Sequence, residues 1–260
     1  MAKERVVYYT DEQNDEFSTA VIVPRKIDGS YVYVKKSPLA ALSHFFAYRV
    51  IAAPIAFLYS KLVFGRRIKN ARVTRQVKGG YFLFGNHTQA VGDALMPHFI
   101  NFRRAKYVVV HPNNVSMPVL GRATPTLGAL PLPDDMTAAK NFMAAMKYRV
   151  EQGNVIVIYP EAHIWPYFVG IRPFPDTSFY YPIKFDVPVF CFTNTYQKRR
   201  WRKKPRIVTY VDGPFYPDKS LPLAKQRGEL RDRVYRTMCE RARASNQEYV
   251  KYIKKEEEQT

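Results

Sequence analysis

The sequence predicts an α/β fold with a mixed, largely parallel central sheet flanked by helices. Two observations lead to this prediction. Short runs rich in β-branched and aromatic residues, such as residues 81–84, 105–110 and 154–159, alternate with the helical pattern of residues 136–152. Polar residues also follow several of these runs where each run ends, which is typical of the ligand-binding edge of such a sheet. An N-terminal hairpin and a membrane-associating helical segment are expected before the sheet.

The first predicted unit, residues 1–37, contains a β-hairpin. Residues 19–23 and 31–34 are rich in strand-forming side chains, and Asp28-Gly29 between them is typical of a tight turn. We therefore expect the two runs to pair with each other.

The second predicted unit, residues 38–70, joins an apolar segment to a basic cluster. Residues 38–65 contain no acid, and their length would allow a membrane-spanning helix. Arg49 near the middle would cost about 2.5–3.5 kcal/mol on insertion, and Pro54 interrupts a helix. We expect two short helices lying in the membrane interface, with a buried helix pair of the core as the alternative. An anionic leaflet would attract the basic cluster at residues 66–69.

The third predicted unit, residues 71–260, alternates strand and helix patterns. Residues 136–152 show a clear apolar face, and Gly153 follows them as a stop signal. Residues 221–255 have the pattern of a long basic helix. The other expected elements are strands at 73–77, 187–192 and 206–211, a helix at 90–102 that Pro97 kinks or ends, and a punctuated loop at 117–130.

A net charge of +19 is the strongest global feature of the chain. Such a surface favours a polyanion, which is a nucleic acid, an anionic bilayer or an acidic carrier protein. The bases flank an apolar segment, and we recognise no nucleic-acid-binding motif, so a membrane is expected and nucleic acid is not. A basic membrane- or nucleic-acid-binding protein without enzymatic activity is the alternative. The two cysteines imply no disulfide framework, the spacing of the five histidines implies no metal site, and no secretory signal is expected.

The polar residues at the ends of the strands contain one candidate general base. Asn86-His87 follows the strand at 81–84, and Asp93 follows as a helix begins. A histidine with a nearby carboxylate has the parts of an oriented general base. Glu161 comes directly after the strand at 154–159, and a further polar cluster begins at Asn194. The carboxyl ends of parallel strands meet at one edge of the sheet, so these groups are expected to lie together.

Four motifs in order resemble the lysophospholipid acyltransferases of the glycerolipid-acyltransferase type, which include the 1-acylglycerol-3-phosphate acyltransferases. Asn86-His87 with Asp93 is similar to the Asn-His-x4-Asp motif of that family. The other three similar stretches are residues 127–132, residues 159–163 (Tyr-Pro-Glu-Ala-His) and residues 186–189 (Asp-Val-Pro-Val). The resemblance covers roughly residues 72–215. It implies that His87 is the base of an acyl transfer and that Asp93 orients it. It also implies that Asn86 contacts the substrate and that Glu161 binds the acceptor or orients a neighbouring base.

The chain departs from the pattern of the family at three positions. Five residues separate His87 from Asp93 instead of four, and Gly92 is suited to a bulge that absorbs the extra residue. Ile164 and Asp134 stand where the family has arginines that are thought to hold the phosphate of the acceptor. The resemblance therefore leaves the phosphate-binding cation open, with Arg122, His163, Arg172 and Lys184 as candidates, of which we favour Arg172.

The resemblance also implies the partners. They are a lysolipid acceptor, a thioester donor that is either acyl-CoA or an acidic acyl carrier protein carrying the acyl chain, and an anionic membrane surface. No cofactor and no metal are expected. The chain is expected at the cytoplasmic face of the cell membrane, as a peripheral or monotopic protein. An inactive membrane-binding relative and a metal hydrolase are the remaining alternatives, and the acceptor, the donor and the chain length stay open.

Overall fold

The computed structural model describes residues 5–17, 22–34, 53–89, 92–118 and 120–255, with single residues between 37 and 51. Most of the first predicted membrane helix, including Arg49, lies outside the described residues, as do residues 18–21 of the predicted hairpin.

A seven-stranded sheet forms the centre of the fold, with the order β2-β8-β7-β3-β6-β4-β5. Every neighbouring pair is parallel except β7 and β8, so the predicted mixed, largely parallel sheet is confirmed. A separate two-stranded parallel sheet joins β1 to β9. The strands are β1 (Val6–Tyr9), β2 (Arg67–Lys69), β3 (Tyr81–Gly85), β4 (Lys106–Val110), β5 (Ala129–Pro131), β6 (Val155–Ile158), β7 (Val189–Gln197), β8 (Arg206–Phe215) and β9 (Lys251–Lys254).

Helices cover both faces of the sheet. They are α1 (Ala53–Phe64), α2 (Gly92–Leu95), α3 (Asn113–Ser116), α4 (Leu120–Ala123), α5 (Met136–Glu151), α6 (Tyr180–Lys184) and α7 (Leu223–Ala242), with 3-10 turns at Ala71–Arg75, Met96–Phe99 and Thr177–Phe179. Strand β3 is buried on both sides, as its continuous apolar run predicts. Phe82 and Phe84 join the core under α5 and α7, whereas Tyr81 and Leu83 join the core under the turn at Met96–Phe99.

Several predicted elements are confirmed, with shifted ends. The predicted strands at 81–84, 105–110, 154–159, 187–192 and 206–211 form β3, β4, β6, β7 and β8. Helix α5 ends before Gly153, as expected. The φ of Gly153 is 76°, which is incompatible with a right-handed helix. The expected helix at 90–102 shortens to α2 and the following 3-10 turn, in which Pro97 occupies an early position.

Two elements of the third unit are corrected. Residues 71–75 form a 3-10 turn and not the strand expected at 73–77. The Val73 N–H donates to the Asn70 carbonyl and the Gln76 N–H donates to the Val73 carbonyl, both at 3.1 Å, and these three-residue steps are the hydrogen bonds of a 3-10 turn. The long helix expected at 221–255 ends at Ala242, and the chain then turns onto the end of β7 and continues into β9. Strand β9, Lys-Tyr-Ile-Lys, is four residues long and shows no alternation of polar and apolar residues, so its sequence did not indicate a strand.

The predicted hairpin is wrong in its described part, because residues 31–34 form no strand. The turn at Asp28 does form, since the N–H of Tyr31 donates to the Asp28 carbonyl at 3.0 Å. Beyond this turn, the segment bonds to the loop before α5. The N–H of Ile27 donates to the Asp134 carboxylate at 2.6 Å, and the Asp134 N–H donates back to the Ile27 carbonyl at 3.0 Å.

Helix α1 begins where the break at Pro54 was expected. Pro54 lies in its first turn, where a missing N–H costs no hydrogen bond. One face of α1 is buried, and the other exposes a stripe of Ile55, Leu58 and Leu62, which are 64%, 58% and 61% exposed. Among the described residues, no helix is both long enough and apolar enough to cross a membrane.

Replacing Gly80 by alanine is expected to destabilise the fold, whereas the same change at Gly79 is not. A Cβ on Gly80 would lie 2.3 Å from the Val150 carbonyl oxygen and 2.7 Å from that of Asn154, both of them backbone atoms at the end of α5. Overpacking of this kind costs about 1–3 kcal/mol. A Cβ on Gly79 would meet nothing within 4 Å. Urea unfolding of both variants checks this prediction, and equal losses of stability would contradict it.

Candidate active site

The side chains of His87 and Asp93 meet at the end of β3. The His87 Nδ1 and the Asp93 Oδ2 are 2.9 Å apart. The loop between them closes on itself, because the Gln89 N–H donates to the Asp93 carboxylate at 2.8 Å and the Asp93 N–H donates to the Gln89 carbonyl at 2.8 Å. The five-residue separation therefore still gives a histidine–carboxylate pair.

Gly92 is required in this loop because of a close approach. A Cβ there would lie 2.8 Å from the Gln89 Cβ and 3.2 Å from the Arg66 Nη2. Its φ lies outside the left-handed region, so the conformational freedom suggested from the sequence is not the reason for a glycine. The glycine makes room for the guanidinium of Arg66 beside the start of α2.

The Asp93 carboxylate is fixed on both of its oxygens. It is 1% exposed, and its Oδ1 accepts a hydrogen bond from the Asn194 Nδ2 at 3.3 Å. The Tyr159 hydroxyl donates to the Asp93 backbone carbonyl at 2.5 Å. The carboxylate is therefore held in place against the His87 ring.

The His87 ring keeps a solvent-facing side. It stacks on the Tyr159 ring with centroids 4.5 Å apart, and its side chain is 18% exposed. No described residue hydrogen-bonds to the Nε2 of His87. With Nδ1 held by Asp93, Nε2 is the nitrogen that can exchange a proton with a bound molecule.

The loop after β6 holds the His87 loop in place through Glu161. One carboxylate oxygen of Glu161 accepts the His87 N–H at 2.9 Å, and the other accepts the Arg172 N–H at 3.1 Å. The Arg172 Nη2 lies 3.6 Å from the Glu161 Oε2, and both side chains are buried. Burial raises the pKa of Glu161, although Arg172 and the two amides oppose the shift.

The same loop bonds to the His87 loop through two further backbone groups. The Trp165 N–H donates to the His87 carbonyl at 3.1 Å, and the Tyr167 N–H donates to the Thr88 carbonyl at 3.0 Å. Glu161 and these two amides thus fix the backbone on both sides of the imidazole.

Trp165 also connects this loop to both ends of the described chain. Its indole stacks on the Tyr252 ring of β9 with centroids 4.9 Å apart, and the Tyr9 ring of β1 lies 4.7 Å away. Its Nε1 donates to the Asp15 carbonyl at 2.8 Å, and the Tyr252 hydroxyl donates to the Pro166 carbonyl at 2.9 Å. The β1–β9 sheet therefore packs against the loop that holds His87.

Asn86 ties the His87 loop to β7. Its Oδ1 accepts the Asn194 N–H at 2.8 Å, and its Nδ2 donates to the Asn194 carbonyl at 3.1 Å. Both ends of the amide are thus engaged with the backbone of the neighbouring strand. Asn194 was expected after a strand, but it lies inside β7, which pairing with β8 extends to Gln197.

Arg66 is a buried cation near Asp93 of the histidine–carboxylate pair. All three guanidinium nitrogens of Arg66 are buried, and none has a partner among the described residues. Burial lowers the pKa of Arg66 to about 10, and the attraction of Asp93 opposes the shift. Arg66 was expected to face an anionic leaflet with its basic neighbours, and this expectation is wrong because its charged group points into the protein.

The family model described as Acyltransferase matches residues 66–193, a span that contains Arg66, His87, Asp93, Glu161 and Arg172. The chain carries an acyltransferase-family domain. Its fold is similar to the crystal structure of the 1-acyl-sn-glycerophosphate (LPA) acyltransferase, PlsC, from Thermotoga maritima, with a TM-score of 0.52 and 13% identity over 78% of this chain and 87% of that chain. No curated protein sequence matches the chain.

The acyltransferase domain brings some predicted site residues to the His87 pair and places others elsewhere. Arg172 was favoured as a phosphate ligand, but its guanidinium is buried over the Trp165 ring and donates to the carbonyls of Glu161 and His163. The His163 Nδ1 lies 3.0 Å from a Glu16 carboxylate oxygen. Arg122 belongs to α4, and its side chain lies outside the described residues.

Replacing Glu161 by glutamine is expected to lower the free energy of unfolding by about 3–5 kcal/mol, since it leaves the buried Arg172 without its counter-charge. The amide NH₂ would also face a backbone N–H that the carboxylate now accepts. The matched control is Glu151→Gln, whose exposed partner Lys147 lies 3.8 Å away, and which should change stability by less than about 1 kcal/mol. Urea unfolding of both variants measures the difference. A similar loss in both would show that Glu161 does not hold the two loops.

Proposed function

We propose that the chain transfers a fatty acyl group from a thioester donor to a hydroxyl of a lysophospholipid-type acceptor, with His87 as the general base. The observation that carries the proposal is the 2.9 Å contact of the His87 Nδ1 with the buried Asp93 carboxylate, which leaves Nε2 toward solvent. The family match and the sheet-edge position of the pair support it.

Each step follows from that contact. Asp93 accepts a hydrogen bond from the Nδ1–H of His87 and so fixes the tautomer in which Nε2 is unprotonated. Nε2 takes the proton of the acceptor hydroxyl as its oxygen attacks the thioester carbonyl, and Asp93 stabilises the imidazolium that forms. The carbon–sulfur bond then breaks, and the departing thiolate takes the proton from His87. No acyl-enzyme forms, no cofactor is used, and acyl-CoA or an acyl carrier protein supplies the thioester.

The acceptor is proposed to be a 1-acylglycerol-3-phosphate or a related lysolipid, by analogy with the solved relative. Asn86, Glu161 and Arg172 hold the His87 loop, because their polar groups are engaged within the protein. Of the predicted phosphate ligands, Arg122 keeps that role in the proposal.

The chain is proposed to work at the cytoplasmic face of the cell membrane as a peripheral or monotopic protein. The stripe of Ile55, Leu58 and Leu62 on α1 supports this. Contiguous exposed apolar side chains are unfavourable in water and mark sites that bind a membrane or another protein. An amphipathic helix lies in a bilayer interface by burying such a stripe. A lysolipid acceptor would reach the site from the same bilayer.

Replacing His87 by alanine is expected to lower the transfer rate by about 10²–10⁴, the contribution of a general base. Asp93→Asn should lower it by a similar factor, since the amide cannot stabilise the imidazolium. The control is Lys140→Ala, because Lys140 is an exposed residue of α5 and does not follow a strand at that edge of the sheet. Initial rates with detergent-dispersed 1-acylglycerol-3-phosphate and acyl-CoA, or acyl carrier protein, provide the test. Undiminished transfer by the His87 variant would exclude it as the base.

Arg66 is proposed to position the pair electrostatically. Its buried guanidinium lies against Gly92, and the charge of Asp93 attracts it. A buried cation without hydrogen bonds destabilises a fold, so its presence beside the proposed acid favours a role in the reaction.

Replacing Arg66 by methionine is expected to lower kcat about tenfold, equivalent to about 1.4 kcal/mol of barrier, while KM for the acceptor stays unchanged. The free energy of unfolding should be unchanged or higher, because the unpaired buried charge is removed. Arg72→Met, at an exposed position nearby, is the control and should leave kcat unchanged. Steady-state kinetics and urea unfolding test both. A raised KM for phosphate-bearing acceptors with kcat intact would contradict the positioning role.

A further inference from the structure

Residues 198–206, which are the loop between β7 and β8 together with the first residue of β8, form a dense cluster of positive charge. Seven of its nine residues are basic and none is acidic, namely Lys198, Arg199, Arg200, Arg202, Lys203, Lys204 and Arg206. In the part of the chain that the structure describes, no carboxylate forms an ion pair with any of them. Burial and the neighbouring Arg202 and Arg206 lower the pKa of Arg199. The positive charge of this loop is therefore not compensated by the protein.

Two of these arginines fasten the basic loop to the end of α1. The Arg199 Nη2 lies 3.4 Å from the Val63 carbonyl, and the Arg202 Nη1 lies 3.2 Å from the Leu62 carbonyl. Carbonyls in the last turn of a helix carry partial negative charge and lack helical partners, so they bind cations well. The basic loop and the apolar stripe of α1 are thus parts of one surface.

A cleft beside the loop gathers more positive charge. Its volume is about 330 Å³, and four cations line it without any acid, namely Arg67, Lys69, Lys198 and Arg206. The Lys69 Nζ lies 3.3 Å from the Tyr210 hydroxyl, which adds a further donor to the cleft. Four cations and a hydroxyl suit a phosphoryl group, which offers several acceptor oxygens.

Trp201 gives the loop an amphipathic tip. Its side chain is 84% exposed, and the Arg200 guanidinium lies 4.9 Å from its ring centroid. Tryptophan is enriched at the level of lipid headgroups, where an apolar ring with a polar N–H has both of its preferred surroundings. A nucleic acid would satisfy the charge, but it would leave the adjoining stripe of α1 in water.

We propose that residues 198–206 and the adjoining cleft bind the phosphoryl headgroups of anionic phospholipids, in the same bilayer on which α1 lies. The apolar stripe of α1 can be buried in any bilayer, whatever the charge of its lipids. The loop and the cleft supply the preference for anionic lipid, and Trp201 enters the interface beside them. This inference stands whether or not the chain transfers acyl groups.

The fluorescence of the two tryptophans of the chain provides a direct test. Trp165 is fully buried, so a change on adding vesicles reports Trp201. Vesicles containing equal parts of phosphatidylglycerol and phosphatidylcholine are expected to shift the emission to shorter wavelength, and brominated lipid is expected to quench it. Salt that shortens the Debye length to about 3 Å should reverse the shift. A Trp201→Phe variant should lose the response, which confirms its origin.

Charge variants separate the loop from α1. The loop variant carries Lys198→Gln, Arg200→Gln and Lys203→Gln. It keeps the two loop arginines that contact the end of α1, Arg199 and Arg202. It should partition into anionic vesicles roughly a hundredfold less, at about a factor of five for each lost charge. Its binding to phosphatidylcholine vesicles should not change. An α1 variant with Ile55→Ser and Leu58→Ser should bind both vesicle types less.

The matched charge control changes three exposed lysines on α5 and at the start of α7 to glutamine, none of which lines the cleft, namely Lys140, Lys147 and Lys225. It should keep most of its affinity for anionic vesicles. Equal losses in the loop variant and the control would reduce the effect to net charge and overturn the proposal. So would a Trp201 response to RNA or to an acidic carrier protein that anionic vesicles do not produce.

Discussion

The buried carboxylate of Glu161 is the group on which the site depends most. It accepts the N–H of His87 on one oxygen and the N–H of Arg172 on the other, so it joins the loop after β3 to the loop after β6. These loops come from adjacent parallel strands, and neither has regular structure to fix it. Burying the Glu161 carboxylate without Arg172 would cost several kcal/mol of desolvation free energy, at about the scale of one unpaired ion. Burying the Arg172 guanidinium without the carboxylate would carry a similar cost. The ion pair therefore fixes the geometry of both loops, and the loss of either partner would leave an uncompensated buried charge.

The surroundings of Asp93 follow from this arrangement. With the His87 backbone fixed, side chains from two other parts of the chain surround Asp93. Asn194 on β7 holds the second carboxylate oxygen, and Arg66 before β2 places a positive charge beside the start of α2. Gly92 connects these features, because its missing side chain gives Arg66 its space. The five-residue separation of His87 and Asp93 thus includes the glycine that lets the positive charge of Arg66 lie near the Asp93 carboxylate.

The sequence was sufficient for much of the sheet and for the central pair. Buried parallel strands are continuous apolar runs, so β3, β4 and β6 could be predicted, and the polar residues after them identified the edge that carries His87. Arg66 could not be assigned, because its neighbours in sequence are solvated bases and its burial depends on Gly92 far along the chain. The β1–β9 pair was missed because each strand is four residues long and finds its partner at the other end of the chain. Arg172 was misplaced because a turn arginine beside a glutamate has the same local pattern whether it binds a ligand or the glutamate.

The packing of Trp165 against β1 and β9 has a consequence for biosynthesis. A ribosome releases β1 early, but β9 is the last described strand to leave it, and the two pair in parallel. The central sheet holds residues up to Phe215, so it can form while β9 is still being translated. The loop that carries Trp165 would then lack one of its two supports. The packing around Trp165 would therefore be completed only after the central sheet, once β9 has left the ribosome and paired with β1.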